Sequence, residues 1–212
     1  MELINPLVQS YAEKHTSSDD PLLREIAGFT LDNHPHHHML SGHLQGKWLE
    51  MLSWMIRPSR VLEIGTFTGY SALCLAAGLT EDGILHTIDI REEETATATG
   101  FFNRSPIGHK IRVHTGMASE IIPALDEQWD LVFMDADKVS YSEYFNLVFP
   151  RLRKNGFILA DNVFFHGEVF EEPVKGKNAK AISEFNDYIL GRNDIEKMMI
   201  TLRDGLYLIR KL

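Results

Sequence analysis

Residues 61–71 constrain the fold of this chain more than any other segment of the sequence. They begin as an apolar strand that carries one carboxylate, Glu63, and they end with two glycines, Gly65 and Gly69. A helical pattern follows at once, over residues 71–78. A strand, a glycine-bearing turn and a helix in this order form the nucleotide pocket of open α/β sheets. The segment therefore predicts an α/β fold with a ligand pocket at this turn.

The spacing of the glycines narrows the class of ligand. The segment reads E-x-G-x-x-x-G, whereas turns that bind dinucleotides read G-x-G-x-x-G and admit a pyrophosphate. Because Glu63 attracts a cation, an adenosyl ligand with a positive group fits this turn better than NAD does. S-adenosylmethionine carries both a sulfonium and an α-ammonium group, and we expect it as the cofactor.

Composition excludes several classes of protein. A chain of 212 residues with 44% apolar content can bury one good core. The net charge of −9 argues against a nucleic-acid surface, and no run approaches the roughly 18 apolar residues of a membrane span. The first residues lack the pattern of a signal peptide, and the single cysteine, Cys74, suits a reducing compartment. We expect a soluble, cytoplasmic protein without nucleic-acid or membrane partners.

From about residue 60, apolar strands alternate with helical patterns, which predicts a mostly parallel sheet with helices on both faces. The expected strands are residues 61–64, 84–89, 111–115, 131–134, 157–161, 197–202 and 205–209. The expected helices are residues 71–78, 91–103, 118–125, 142–152 and 179–190. The link between the last two strands is too short for a parallel crossover. Six parallel strands and one reversed C-terminal strand therefore form the expected seven-stranded sheet.

The first 58 residues are expected to form a helical N-terminal extension. Apolar residues at helical spacing predict three helices, around Leu3 to Tyr11, over residues 22–31 and over residues 44–55. These helices either cap the ligand pocket or form an oligomer contact. Because the sequence has no internal repeat and no long linker, we expect one domain over residues 1–212, with its core at residues 59–212.

Chemically unusual residues stand at the ends of the predicted strands, where ligands bind in an open parallel sheet. Asp89 ends the second strand, and an acidic residue there commonly accepts the ribose hydroxyls of an adenosine. The alternative is that Asp89 caps the following helix. The third strand leads to Gly116 and Ala118, where an adenine edge can approach the backbone.

The fourth and fifth strands end in a cluster of oxygen-bearing side chains. Asp135, Asp137 and Lys138 follow the fourth strand, and Asp161 and Asn162 end the fifth. Adjacent strand ends lie about 5 Å apart, so Asp135, Asp161 and Asn162 can converge on one point. Oxygen ligands without Cys or His select a hard cation, and we expect Mg²⁺, with Mn²⁺ and Ca²⁺ as alternatives. The other interpretation is that the Asp-x-Asp pair only starts a helix.

These motifs resemble those of the metal-dependent small-molecule O-methyltransferases, which include catechol O-methyltransferase and the plant caffeoyl-coenzyme A O-methyltransferases. The match is closest to their bacterial relatives. It extends from about residue 39 to the C-terminus, and it rests on residues 62–71 (LEIGTFTGYS), 133–138 (FMDADK) and 161–167 (DNVFFHG). The resemblance implies a Rossmann-like class I methyltransferase fold and a homodimer.

The resemblance also assigns roles to residues. It implies that Asp135, Asp161 and Asn162 hold the metal. The residues that it implies for the cofactor are Met39, Ser41, Glu63, Gly65, Phe67, Ser71, Asp89, Ala118, Asp135 and Asp137. Among these, Glu63, Gly65, Phe67 and Ser71 would surround the methionine part, and Asp137 would bind the α-ammonium group.

The expected reaction is methyl transfer to a hydroxyl of a catechol-like small phenolic substrate. A phenol with an adjacent hydroxyl chelates the cation, which lowers the pKa of both oxygens. Lys138, partly desolvated beside the metal, would be neutral often enough to take the proton as the catalytic base. Its alternative role is a salt bridge to Asp135 or Asp137.

Other functions stay open at this point. One is a metal-independent small-molecule methyltransferase in which the acidic residues only cap helices, and another is a non-catalytic module that binds S-adenosylmethionine. An NAD-dependent reductase lacks the third glycine and a Tyr-x-x-x-Lys pair. The histidines of residues 34–38 form a polar loop, a soft-metal site or part of the substrate entrance. His166 does not match the residue usual in the plant enzymes, so coenzyme A esters do not follow from the resemblance.

Overall fold

The computed structural model describes residues 3–212 of the chain, so residues 1 and 2 of the expected domain lie outside the described residues. Seven strands are present: β1 Arg60–Ile64, β2 Ile84–Asp89, β3 Ile111–Thr115, β4 Trp129–Met134, β5 Leu152–Asp161, β6 Ile195–Ile200 and β7 Leu206–Lys211. They form one sheet in the order β3-β2-β1-β4-β5-β7-β6. β7 pairs antiparallel with both β5 and β6, and the pairs among β1 to β5 are parallel. The predicted sheet with one reversed strand is confirmed.

Eight α-helices accompany the sheet within residues 3–212: α1 Pro6–Lys14, α2 Pro21–Asn33, α3 His43–Ile56, α4 Tyr70–Ala76, α5 Glu92–Phe102, α6 Ala118–Ala124, α7 Tyr141–Val148 and α8 Lys177–Leu190. Alternate residues of a strand face opposite sides of a sheet. Val61 accordingly packs in one core with residues of α2 to α5, and Leu62 packs in a second core with residues of α6 to α8. Helices therefore cover both faces, as the sequence predicts.

One boundary of the expected core differs substantially from the structure. The helix predicted over residues 142–152 ends at Val148, and a 3₁₀ turn over Phe149–Arg151 leads directly into β5 at Leu152. Pro150 lies in this turn. Because proline has no N–H to donate to a continuing α-helix, the helix ends here and the strand begins earlier than residue 157.

The N-terminal extension consists of three α-helices, as predicted, but the first begins at Pro6 rather than near Leu3. The side chain of Asn5 accepts a hydrogen bond from Leu7 N at 2.9 Å and so caps this helix. Leu7 and Tyr11 of α1, and Trp54 of α3, are exposed apolar side chains. The homodimer stays a prediction, which light scattering of the purified protein would test.

Within the described residues, no helix combines the length and the apolar character that crossing a membrane requires.

Candidate functional site

A cavity of about 580 Å³ opens at the edge of the sheet where β1, β2 and β4 end. Its wall contains most of the residues that the sequence predicts for the cofactor and for catalysis: Met39, Ser41, Gly65, Phe67, Ser71, Asp89, Ala118, Asp135, Asp137 and Lys138. Glu63, Asp161 and Asn162 do not line this cavity. The structure therefore brings the ends of β1, β2 and β4 and the segment before α3 together around one space.

The turn after β1 depends on glycine because two backbones approach each other closely there. Gly65 has a φ of 106°, and a Cβ placed on it would lie 2.0 Å from the carbonyl oxygen of Asp135. Any other residue would push β1 and β4 apart at the cavity edge. The glycine pattern that predicts the pocket therefore reflects the contact between the ends of these two strands.

Asp89 ties the turn after β1 to the turn after β2. Its Oδ2 accepts a hydrogen bond from Phe67 N at 3.0 Å, and its Oδ1 accepts one from Arg91 N at 3.0 Å. The residue at the N-cap position of α5 is Arg91, so Asp89 does not occupy that position and the helix-cap alternative is wrong. Asp89 lines the cavity, and its contact with a ribose stays a prediction.

Glu63 lies behind the cavity, two residues before Gly65. It is fully buried, and its Oε2 accepts a hydrogen bond from Thr87 Oγ1 at 2.6 Å. Its Oε1 has no hydrogen-bond partner among the described residues. Burial raises the pKa of Glu63 to about 8. A buried carboxyl oxygen without a partner fits a site that receives a cationic ligand.

The pKa of Glu63 predicts how the stability of the ligand-free protein varies with pH. The folded protein binds a proton at Glu63 that the unfolded chain releases near pH 4.5, so the free energy of unfolding falls as pH rises from 4.5 through about 8. Glu63→Gln removes this ionisation. We expect the variant to gain stability relative to the wild type between about pH 5 and about pH 9 in urea unfolding. A constant difference between the two proteins over that range would contradict the raised pKa.

Asp135 and Asp161 lie at neighbouring strand ends and influence each other. Asp161 is 2% exposed. Burial raises its pKa to about 7, and the negative charge of Asp135 adds to this effect. Tyr141 joins the two strand ends, since its Oη lies 3.1 Å from Met134 O and 3.0 Å from Asp161 O. Two carboxylates that repel each other in this way form a site that a cation would stabilise.

The amide of Asn162 has an orientation that fits the same site. Its Nδ2 donates to Asp204 Oδ2 at 3.2 Å, and its backbone N donates to Asp161 Oδ1 at 2.8 Å. Since Nδ2 binds Asp204, the amide oxygen is left to act as a ligand. The candidate metal site therefore has two carboxylates and one amide oxygen, which suits a hard cation.

Lys138 is held between Asp135 and Tyr141. Its Nζ donates to Asp135 Oδ1 at 2.9 Å and to Tyr141 Oη at 2.8 Å. Burial lowers the pKa of Lys138, but Asp135, Tyr141 and Asp161 together raise it well above the ordinary value for lysine. Without a cation the alternative salt bridge to Asp135 is present, and a lysine that is readily neutral beside a bound metal stays a prediction.

Asp137 has the geometry of a helix start. It precedes a 3₁₀ turn over Lys138–Ser140, and its carboxylate accepts hydrogen bonds from Ser140 Oγ and Tyr144 Oη. Its contact with an α-ammonium group stays a prediction. The helix-start interpretation therefore describes Asp137, but it does not account for the buried carboxylate of Asp161.

The histidine segment has a different role from a metal site. Within residues 3–212, no three His, Cys, Asp or Glu side chains are arranged to hold a metal ion. His34 Nε2 instead lies 2.8 Å from Glu94 Oε1, and its ring contacts the edge of Phe67 at a centroid distance of 4.5 Å. The soft-metal alternative is wrong, and the segment packs beside the cavity wall.

Sequence reasoning missed four residues of the site: Gln45, Tyr141, Arg203 and Asp204. Tyr141 lies three positions after Lys138, so helical spacing was a signal for it. Gln45 and Arg203 had no such signal, because Gln45 contacts Asp161 across 116 positions and Arg203 contacts Gln45 across 158 positions. Asp204 lies in the link between β6 and β7, where an acidic residue is ordinary in a turn.

A parallel sheet with one reversed strand and a ligand cavity at the carboxyl ends of its central strands defines a Rossmann-like class I methyltransferase fold. Comparison of the sequence with known families identifies the particular family. The profile described as "O-methyltransferase" matches residues 13–212. The chain belongs to this family and is an O-methyltransferase.

Individual relatives agree with this assignment. A Dictyostelium discoideum protein named "Probable caffeoyl-CoA O-methyltransferase 2" is 31% identical over 214 residues, which cover 98% of this chain and 93% of the relative. A catechol O-methyltransferase of Niastella koreensis is 33% identical over 153 residues, which cover 70% of this chain and 69% of the relative.

Solved structures agree as well. The O-methyltransferase TomG of Streptomyces achromogenes, in complex with SAM, has a TM-score of 0.87 and 28% identity, with 96% of this chain and 95% of that chain covered. An O-methyltransferase of Bacillus cereus, in complex with SAH, has a TM-score of 0.88 and 26% identity, with 97% of each chain covered.

Proposed function

We propose that this O-methyltransferase uses S-adenosylmethionine and a divalent cation, Mg²⁺ foremost, to methylate a hydroxyl of a catechol-like phenol. One observation carries the proposal. The buried carboxylate of Asp161 lies at the strand end next to that of Asp135, beside Asn162, whose amide oxygen is left to act as a ligand. The charge of Asp135 disfavours the ionised form of Asp161 although Lys138 lies close by, which supports a metal as the function of the arrangement.

The cofactor proposal is supported by the cavity and by the solved relatives. The structures of TomG and of the Bacillus cereus enzyme contain SAM and SAH respectively. In this chain the cavity lies at the turn of Gly65, with the unpartnered Oε1 of Glu63 behind it. A cationic adenosyl ligand matches that buried carboxyl group better than a pyrophosphate does.

The phenol would lie on the other side of the candidate metal site. A second cavity of about 480 Å³ is lined by Leu3, Ile4, Pro6, Gln9, His166, Arg203 and Asp204. Asp204 accepts the hydrogen bond from Asn162, so this cavity adjoins the candidate metal ligands. The names of the relatives, which specify catechol and caffeoyl-CoA, support a phenol with two adjacent hydroxyls.

The residues of the chain have separate roles in the proposed reaction. A bound divalent cation would act as a Lewis acid that lowers the pKa of a coordinated hydroxyl. Asp135, Asp161 and Asn162 would hold that cation, and Lys138, 2.9 Å from Asp135, would accept the proton of the hydroxyl. The walls of the cavity would exclude water. A dry site favours methyl transfer, because the charges of the phenolate and of the sulfonium are both lost in the reaction.

Methyl transfer from labelled S-adenosylmethionine tests the proposal. We expect transfer to catechol in the presence of Mg²⁺, loss of transfer on addition of EDTA, and recovery when Mg²⁺ is added in excess. A phenol with a single hydroxyl should be a much poorer acceptor, because it cannot chelate. Transfer that resists EDTA would favour the metal-independent alternative. Transfer to other hydroxyl compounds but not to catechol would contradict the proposed acceptor.

A further inference from the structure

The carboxylate of Asp161 is held by hydrogen bonds from two different parts of the chain. Its Oδ1 accepts from the backbone N–H of Asn162, and its Oδ2 accepts from Gln45 Nε2 at 2.7 Å. Gln45 lies in the first turn of α3 and is 0% exposed. A polar side chain buried so completely destabilises the fold unless it is paired, so its contacts explain why it is tolerated.

The neighbours of Gln45 determine the orientation of its amide. A carboxylate can only accept hydrogen bonds, and a guanidinium group can only donate them. Gln45 Oε1 accepts from Arg203 Nη1 at 3.2 Å, so Nε2 must face Asp161. Turning the amide over would place acceptor against acceptor on one side and donor against donor on the other. The amide therefore has one favourable orientation.

Arg203 extends these contacts to the cofactor side of the site. Its Nη1 also donates to the backbone oxygen of Ser41, which lines the 580 Å³ cavity. Arg203 itself lies between β6 and β7 with a φ of 49°, in the left-handed region. Hydrogen bonds thus link three separate segments, at residues 41–45, 161–162 and 203, through Gln45.

We infer that Gln45 is a positioning residue for Asp161 and that Arg203 holds Gln45 in the required orientation. The inference rests on the proposed function, because it takes Asp161 as a metal ligand. A hydrogen bond to Oδ2 restricts rotation of the carboxylate before a cation arrives. Partners of metal ligands of this kind typically contribute about 10–100-fold to metal affinity.

Binding of Mn²⁺ to the purified protein, followed by electron paramagnetic resonance of the free ion, tests this inference without reference to activity. Gln45→Met keeps the length of the side chain and removes both hydrogen bonds, and its Mn²⁺ affinity should fall about 10–100-fold. Arg203→Met should weaken Mn²⁺ binding in the same direction by a smaller factor. If Gln45→Met fails to fold, the Mn²⁺ affinity of Arg203→Met still tests the inference.

Ser53→Ala is the matched control. Ser53 is buried in the same helix, α3. Its Oγ donates to Leu75 O and not to Gln45, Arg203 or Asp161. This variant loses a buried hydrogen bond but should bind Mn²⁺ as the wild type does. An equal loss of Mn²⁺ affinity in Ser53→Ala would show general destabilisation and would overturn the inference.

The result also separates this inference from the proposed function. If the wild type binds Mn²⁺ and both Gln45→Met and Arg203→Met bind it equally well, the positioning role is wrong while the metal site stands. If the wild type binds no Mn²⁺, the proposed metal dependence itself is wrong.

Discussion

Asp135→Asn is expected to lower kcat/KM for catechol methylation by on the order of 10³-fold, because a Lewis-acid cation supplies several kcal/mol of stabilisation to the reaction. The variant removes one of the two negative charges that would hold the cation. The amide oxygen of Asn can still accept the hydrogen bond that Lys138 Nζ donates to Asp135 Oδ1 at 2.9 Å. We therefore expect the folded structure to persist while metal-dependent transfer is lost.

Two measurements make this result specific to the metal. The increase in Tm that Mg²⁺ gives the wild type should be absent from Asp135→Asn, whereas the Tm without metal should be close to that of the wild type. The charge of Asp135 contributes to the raised pKa of Asp161, so its removal also relieves a repulsion in the metal-free protein.

Asp126→Asn is the control, because Asp126 is an exposed residue outside helices and strands. It removes the same charge from the protein and should leave kcat/KM and the effect of Mg²⁺ unchanged. Full activity of Asp135→Asn with Mg²⁺, together with an unchanged effect of Mg²⁺ on its Tm, would refute the assignment of Asp135 as a metal ligand.

The sequence was sufficient for the fold because the relevant signals are local. Apolar runs such as Leu131 to Met134 are long enough to define buried strands, and the short link before Leu206 permits only an antiparallel return. The start of β5 was less predictable. Residues 153–155 are polar and exposed and lie where the register between β4 and β5 shifts, so no apolar pattern marks them as part of a strand.

The site was predictable where its residues follow strands directly, as Asp135 and Asp161 do. The charge of Lys138 was not, because its pKa depends on the distances to two carboxylates and a tyrosine that only the folded chain brings together. The contact of Gln45 with Asp161 spans 116 residues, and a glutamine within an amphipathic helix gives no indication of it. Local pattern thus predicts the candidate ligands, and tertiary structure shows which groups contact them.

Lys138→Met is expected to lower kcat by about 10²–10⁴-fold if Lys138 accepts the proton of the phenol, which is the usual contribution of a positioned base. The affinity for S-adenosylmethionine should change far less, because the proposed role concerns the acceptor. Lys154→Met, an exposed substitution on β5, is the control for loss of a positive charge.

Acceptors of different acidity show whether Lys138 acts as a base or only forms an ion pair. A nitro-substituted catechol has a hydroxyl that is already largely ionised at neutral pH and therefore needs no base. With this acceptor, Lys138→Met should regain most of the lost rate relative to the wild type. An equal loss of kcat with catechol and with nitrocatechol would indicate that Lys138 acts only through its ion pair with Asp135.

Lys138→Arg provides the converse test. Arginine can donate to Asp135 and Tyr141 as lysine does, but its pKa is too high for it to accept a proton during the reaction. If Lys138 is the base, this variant should be folded and nearly as inactive toward catechol as Lys138→Met. If the salt bridge is the whole of its function, Lys138→Arg should retain most of the activity. Asp135 and Asp161 raise the pKa of Lys138 in the protein without a cation, so a base role further requires that this pKa fall when their charges are offset. The rate of the wild type with catechol should then rise with pH through that lowered pKa, and the rate with nitrocatechol should vary much less over the same range.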